Sequence, residues 1–340
     1  MLRWKNLWWV LVFALFAVFP MVVTNPAYLA MMVFTLIYMA CATSWNMFSG
    51  YSGYIALGSG VFYGTGAYTM ALISVHAHMA PGAAMFWLVP LGGVAASLIS
   101  IPVGWAALRV RRHTFVVITI ATLFVFQSAA FNFSFTGGSA GLAVPFITWN
   151  ASYYNIPFYY VAFAIVIFVT ALSAGVRRSR FGLQLLAIRD DEDRALGLGV
   201  KVSAVKRTGF TMSAFTIGMC GALYAMFIGQ IFPNTGFDPL FDISIALMAF
   251  LGGLGTLTGP LLGALILEFG QQYLTVSFSN GSLYLILFGS LFLIVILLMP
   301  QGIVVYIRDR ISNKADRDRA AVESNEASAL VAPPVAEVHS

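Results

Sequence analysis

The sequence predicts an all-α polytopic membrane protein with about ten transmembrane helices (eight to ten), interrupted by glycine in both halves. Three observations predict it. Of the 340 residues, 60% are hydrophobic and 9% charged, whereas a soluble domain is roughly half apolar and a quarter charged. Apolar runs of membrane-crossing length recur from end to end. When the crossings alternate, every Lys and Arg falls on one side.

A helix needs about 20 mostly apolar residues to cross a hydrocarbon core of ~30 Å. Candidate spans lie near 7–24, 28–48, 54–75, 83–108, 114–133, 157–176, 208–231, 241–255, 258–276 and 282–300. The first follows Arg3-Trp4-Lys5 and runs to Val23, in the manner of a signal peptide. No small-x-small cleavage site follows, so an uncleaved first helix is expected. The 54–75, 241–255 and 258–276 segments are rich in glycine, so re-entrant or broken helices are expected there.

Charge sets the orientation. With the N-terminus in the cytoplasm, Arg3 and Lys5 lie inside, as do Arg109, Arg111 and Arg112. So do Arg177, Arg178, Arg180, Arg189, Arg194, Lys201, Lys206 and Arg207, and finally Arg308, Arg310, Lys314, Arg317 and Arg319. These are all eighteen basic residues. The outer segments, near 76–82, 134–156, 232–240 and 277–281, hold none, which is the positive-inside pattern; they contain Asp238, with Asp242 at the edge of the next span. Both termini are therefore expected in the cytoplasm. Residues 1–308 form one membrane domain, with 177–207 as its longest polar loop. Residues 309–340, Ala, Ser, Pro and Glu without apolar periodicity, read as a disordered cytoplasmic tail.

Several function classes drop out. The net charge of +5 sits in loops between spans, where topology accounts for it, and does not argue for nucleic acid. Cys41 and Cys220 lie in apolar stretches and offer neither a disulfide framework nor CxxC metal spacing. His76, His78, His113 and His339 are scattered loop residues, so no metal site is expected. HExxH, GxSxG and the GxxxxGK[ST] phosphate loop are absent. No catalytic residue and no bound cofactor are expected. If ATP drives the protein, another chain must bind it.

Three features carry information. Gly50, Gly53, Gly58, Gly60, Gly64 and Gly66 crowd one region, and Gly252, Gly253, Gly255, Gly259 and Gly263 another. Such clusters serve tight helix packing or mark interrupted helices along a transport pathway. Gly58, Gly64, Gly66, Gly252, Gly253 and Gly255 are the candidate pathway positions. In the 177–207 loop, Arg189-Asp190-Asp191-Glu192-Asp193-Arg194-Ala195-Leu196-Gly197 is dense in mixed charge. Phe181, Leu185, Ile188 and Leu196 recur there at roughly helical spacing. A solvated surface and a helix docking in a partner's groove both fit. Finally, Glu268 is the one ionisable residue well inside a predicted span. It suits either a pathway or a hydrogen bond between helices. Asn46, Gln127 and Asn132 are its neutral counterparts.

Four stretches carry a family resemblance. They are Gly50-Tyr51-Ser52-Gly53-Tyr54-Ile55-Ala56-Leu57-Gly58 with Phe62 to Tyr68, Thr136-Gly137-Gly138-Ser139-Ala140-Gly141-Leu142, Phe181-Gly182 through Arg189-Asp190-Asp191-Glu192 to Gly197, and Leu251-Gly252-Gly253-Leu254-Gly255-Thr256-Leu257-Thr258-Gly259-Pro260. In this order and spacing, over residues 30 to 300, they resemble the LivM-type permease subunits of branched-chain amino acid ABC importers. Two positions depart: Asp191 stands where the family often has Asn, and Ala140 where it often has an acidic residue.

The resemblance implies a permease domain in the bacterial inner membrane. It implies a second, LivH-type permease, two cytoplasmic ATP-binding subunits and a periplasmic solute-binding protein. Arg189, Asp190, Asp191, Glu192, Ala195 and Gly197 would then couple the pore to an ATPase. The acidic cluster would meet basic ATPase surface, and Arg189 and Arg194 acidic surface. The motion would open the glycine-rich helices and Glu268 alternately to each side. Branched-chain amino acids are the implied cargo, with urea, short amides or other small solutes as the alternative. An ion-coupled secondary transporter is a rival that would need an ion site, and an intramembrane enzyme lacks its catalytic set.

Overall fold

Asn25 shows how these helices begin. Its side chain accepts a hydrogen bond from the Ala27 N–H at 3.0 Å. Pro26 follows at the first helical position, where its missing N–H costs nothing. The helix so started, α2 (Pro26–Trp45), is buried nearly all round, as befits a span at the centre of a bundle. The computed structural model describes residues 13–277 apart from 24, 79, 146 and 148, together with 289, 290, 293, 302, 303 and 306.

A short apolar helix, α1 (Phe13–Val22), precedes α2. Then come α3 (Gly60–His76), α4 (Leu88–Ala107), α5 (Arg112–Asn132), α6 (Ala151–Arg178), α7 (Arg180–Asp190), α8 (Glu192–Gly197), α9 (Val202–Ile228), a single turn α10 (Pro233–Gly236), α11 (Pro239–Gly252) and α12 (Gly259–Ser277). Two-residue strands β1 (Leu142–Ala143) and β2 (Gln230–Ile231) pair antiparallel, Leu142 opposite Ile231. Among the described residues, six helices are long and apolar enough to cross a membrane: Pro26–Gly50, Ala83–Ala107, Arg112–Asn132, Tyr153–Arg178, Val202–Ile228 and Pro233–Gly252. The 309–340 tail lies outside those residues, as does the expected 282–300 span except at 289, 290 and 293; of the first expected span, 7–24, residues 13–23 are described.

Helices α2 and α9 form the core. α3 and α4 pack on α9, and α6, α11 and α12 on α2. Close approach demands small residues. A side chain on Gly66 would put its first carbon 2.0 Å from the Gly218 carbonyl oxygen, so the two backbones touch. Ser100 donates to the Thr211 hydroxyl at 2.9 Å, tying α4 to α9 further along. The ends of α4, α5, α6 and α9 that carry Arg109, Arg112, Arg177 and Lys201 lie together with α7 and α8. We call this the basic end.

Two expected spans are interrupted. The 54–75 segment is not helical over 53–59 and becomes α3 only at Gly60. The 241–255 segment starts a little early, at Pro239, and stops at Gly252, whereas α12 runs unbroken from Gly259. α2 itself ends in a π-helical turn, Asn46–Gly50.

Candidate functional site

At the basic end, three of the four motif stretches meet. Asn46, in the π turn after α2, donates from its side-chain amide to the Thr256 carbonyl at 2.8 Å. Its amide oxygen accepts from the Gly255 N–H at 2.7 Å. The late glycine loop (253–258) is thereby tied to the end of α2. Arg189, near the end of α7, donates to the Gly50 carbonyl at 2.8 Å. Gly255 lies directly beneath that guanidinium: a side chain there would come within 2.3 Å of its Nη1. Gly255 also has φ +76, a conformation that L side chains rarely adopt. Arg112 completes the joint by donating to the carbonyls of Ile188 and Arg189 at 2.9 and 2.6 Å, which caps α7.

A second contact clamps α8. Lys206, on α9 and 4% exposed, lies 2.7 Å from Glu192 Oε1. It also donates to the Tyr54 hydroxyl at 3.0 Å and sits 4.3 Å above the Tyr54 ring. Tyr54 in turn donates to Glu192 Oε2. Burial pushes the Glu192 carboxyl up. The hydrogen bonds from Lys206 and Tyr54 outweigh that and hold it below the usual glutamate value. Tyr54 lies near the start of the non-helical 53–59 stretch, so the clamp joins α8 to that interruption.

The far end of the stretch is held by Asp242. Its carboxylate accepts from the N–H groups of Ser59 at 2.8 Å and Gly60 at 3.1 Å, at the start of α3 where the unpaired donors of a helix point. Leu57 N–H donates to the Thr119 hydroxyl at 3.2 Å. Each group lies inside the bundle, where lipid could not satisfy these donors.

The predicted site residues divide accordingly. Arg189, Glu192 and Ala195 point into this chain, Ala195 being 2% exposed. That corrects the expectation that Glu192 and Arg189 pair with a partner: their charges are already engaged by Lys206 and by Gly50. The apolar strip is corrected likewise, because Leu185 and Ile188 are fully buried here and hold the hairpin down. Asp191 caps α8, accepting from the Arg194 N–H at 3.0 Å. That bond holds its carboxyl below the ordinary aspartate value. Arg194 lies against the same carboxylate, 3.1 Å away on the surface. Asp190 and Gly197 are exposed, and nothing stands within 4 Å of a side chain built on Gly197. The free face of the α7–α8 hairpin thus presents Leu183, Leu196 and Leu198 (61, 62 and 84% exposed) beside Asp190, Asp193 and Arg194.

The glycines are packed positions. Gly58 lies against the Thr119 backbone, Gly64 against the Phe237 ring and Gly252 against Gly259, while Gly253 closes α11. Glu268, 3% exposed, accepts from Gln272 one turn on at 2.9 Å, away from the basic-end joint. Its standing as the one ionisable group inside a span is corrected by Asp242, which is 1% exposed. Sequence reasoning put Asp242 at a span edge, counted Lys206 as a topology charge and passed over Tyr54. Asn46 was visible as a polar residue in a span, without its partners. Replacing Asn46 with Ala leaves the Gly255 N–H without its acceptor. The expected loss is about 1–3 kcal/mol of stability, read from thermal unfolding of the purified chain. An unchanged transition would mean that the loop is held by other contacts.

A family model described as the branched-chain amino acid transport system / permease component matches residues 27–296. The chain is 25% identical over 311 residues to the high-affinity branched-chain amino acid transport system permease protein LivM of Salmonella typhimurium, covering 83% of this chain and 71% of that one. It is 28% identical over 283 residues to the permease protein LivH of the same kind of system in Escherichia coli, covering 78% of this chain and 91% of that one. No solved structure matches significantly. With the match spanning most of the bundle and all four motif stretches, this chain belongs to the family of branched-chain amino acid transport system permease components.

Proposed function

We propose that this chain is one of two permease subunits of an ABC importer that carries branched-chain amino acids across the bacterial inner membrane. It crosses about ten times, with the basic end and both termini in the cytoplasm. Separate ATP-binding subunits power it, and a periplasmic solute-binding protein delivers the cargo. The likeness to both LivM and LivH proteins supports pairing with a second, related permease.

The observation that carries the reading is the joint at the basic end. The α7–α8 hairpin presents exposed leucines outward. Inward it is bonded to both helix interruptions, through Arg189 to Gly50 beside Gly255 and through Glu192 to Tyr54. A push on the hairpin therefore reaches the places where the spans are broken, as alternation between two packed arrangements requires. Leu196→Asp with Leu198→Asp is the test, because both side chains are exposed and the chain's own packing does not need them. Expected are normal membrane insertion, loss of co-purifying ATPase subunits and at least tenfold slower ATP-driven leucine uptake in vesicles. Normal assembly and uptake by the double variant would defeat the coupling assignment.

A further inference from the structure

The last turn of α4 takes part in none of these contacts. Trp87, Leu91, Val94, Leu98, Ile101 and Trp105 are all exposed and recur every three or four residues, along one helix face. Trp87 and Trp105 are separated by about 27 Å of helix, close to the ~30 Å of a hydrocarbon core. An apolar stripe ending in an indole at each end is what a lipid-facing helix presents, the rings lying at the two headgroup levels. Trp105 therefore marks the headgroup level at the basic end.

A cavity of about 150 Å³ opens at that level, lined by Gly104, Trp105, Leu108, Arg109, Ser203 and Arg207. The Arg109 guanidinium stacks on Trp105, 3.4 Å from the ring centre. Arg207 donates from Nε to the Ser203 carbonyl at 3.1 Å, a bond that leaves its two terminal nitrogens free of that contact. Among the described residues, neither arginine makes an ion pair, and no carboxylate lines the cavity. α4, whose last turn leads directly into Arg109, and α9, which carries Ser203 and Arg207, are locked together by glycine contacts and by Ser100 on Thr211. The spacing of the two arginines is thus fixed by the fold.

Two guanidinium forks and a hydroxyl around a small cavity match the oxygens of a phosphate group. We propose that this cavity binds the headgroup phosphodiester of an anionic phospholipid, with its acyl chains lying along the α4 stripe. Free phosphate shares the oxygen chemistry but has nothing to place on the stripe, so the lipid is the occupant.

The test is native mass spectrometry of the full chain in detergent, titrated with phosphatidylglycerol, with phosphatidylcholine and with inorganic phosphate. Phosphatidylglycerol is expected to bind tightly, and about 30-fold more weakly to Arg109→Gln/Arg207→Gln. Arg178→Gln, an exposed basic position elsewhere at the same end, is expected to leave binding unchanged. Undiminished binding by the double variant would overturn the proposal. So would equal weakening by Arg178→Gln, which would indicate diffuse attraction, or displacement of the lipid by inorganic phosphate, which would indicate a free-anion site. Should the double variant fail to fold, Arg207→Gln alone, expected to bind about fivefold more weakly, decides the same question.

Discussion

Replacing Lys206 with Met is expected to lower the chain's stability by about 3 kcal/mol, because it strands a partly buried carboxylate. Breaking such a pair from one side costs roughly 3–5 kcal/mol. The low end applies because the Glu192 side chain is 29% exposed, so water recovers part of the loss. Lys206→Met combined with Glu192→Gln should regain most of it, since Tyr54 can still donate to the amide oxygen and no charge is left unpaired. Thermal unfolding of the three proteins checks this, and a double variant as unstable as the single would show that the ion pair is not the source. The pH dependence has a definite sign. The folded value of Glu192 is depressed, so its contribution is complete above the unfolded glutamate value, about 4.3. It is lost as pH falls through the lower folded value.

The second large effect is expected at Gly66. A valine there would press into the Gly218 carbonyl, 2.0 Å from the first added carbon, and neither helix can yield without parting α3 from α9. Overpacking of a dense interior costs 1–3 kcal/mol or more where side chains alone must move. Here backbone meets backbone, so Gly66→Val should fail to accumulate as folded protein. Gly175→Val, at a glycine with nothing within 4 Å, should accumulate normally. Equal expression of the two variants would contradict the packing described.

Periodicity and charge made most of the bundle legible, because a bilayer imposes length and sidedness on each crossing independently of its neighbours. The helices α2, α4, α5, α6 and α9 fall close to their expected positions for that reason. The joint at the basic end was not legible, because its bonds run between residues far apart in sequence. Arg189 looked like a surface charge until its reach to Gly50 was seen. Lys206 was indistinguishable from the arginines that only set orientation. The glycine clusters were visible, but spacing alone could not tell contact between backbones from the lining of a passage. Asp242 was misplaced because an acidic residue after Asp238-Pro239 reads as part of a helix start at the outer surface. Its true partners, the amides of Ser59 and Gly60, lie 183 and 182 positions back.

That distance has a consequence for how the protein is made. The 53–59 stretch and the first residue of α3 carry backbone donors that lipid cannot satisfy, and the acceptor for two of them, the N–H groups of Ser59 and Gly60, belongs to α11. A ribosome adding about 5–20 residues per second reaches Asp242 on the order of ten seconds after Ser59. Until then α3 has no capped start and cannot settle as an independent membrane segment. The growing chain must shelter it, in the translocation machinery or against α2, so the interrupted half of the bundle is completed only when synthesis is well past its midpoint.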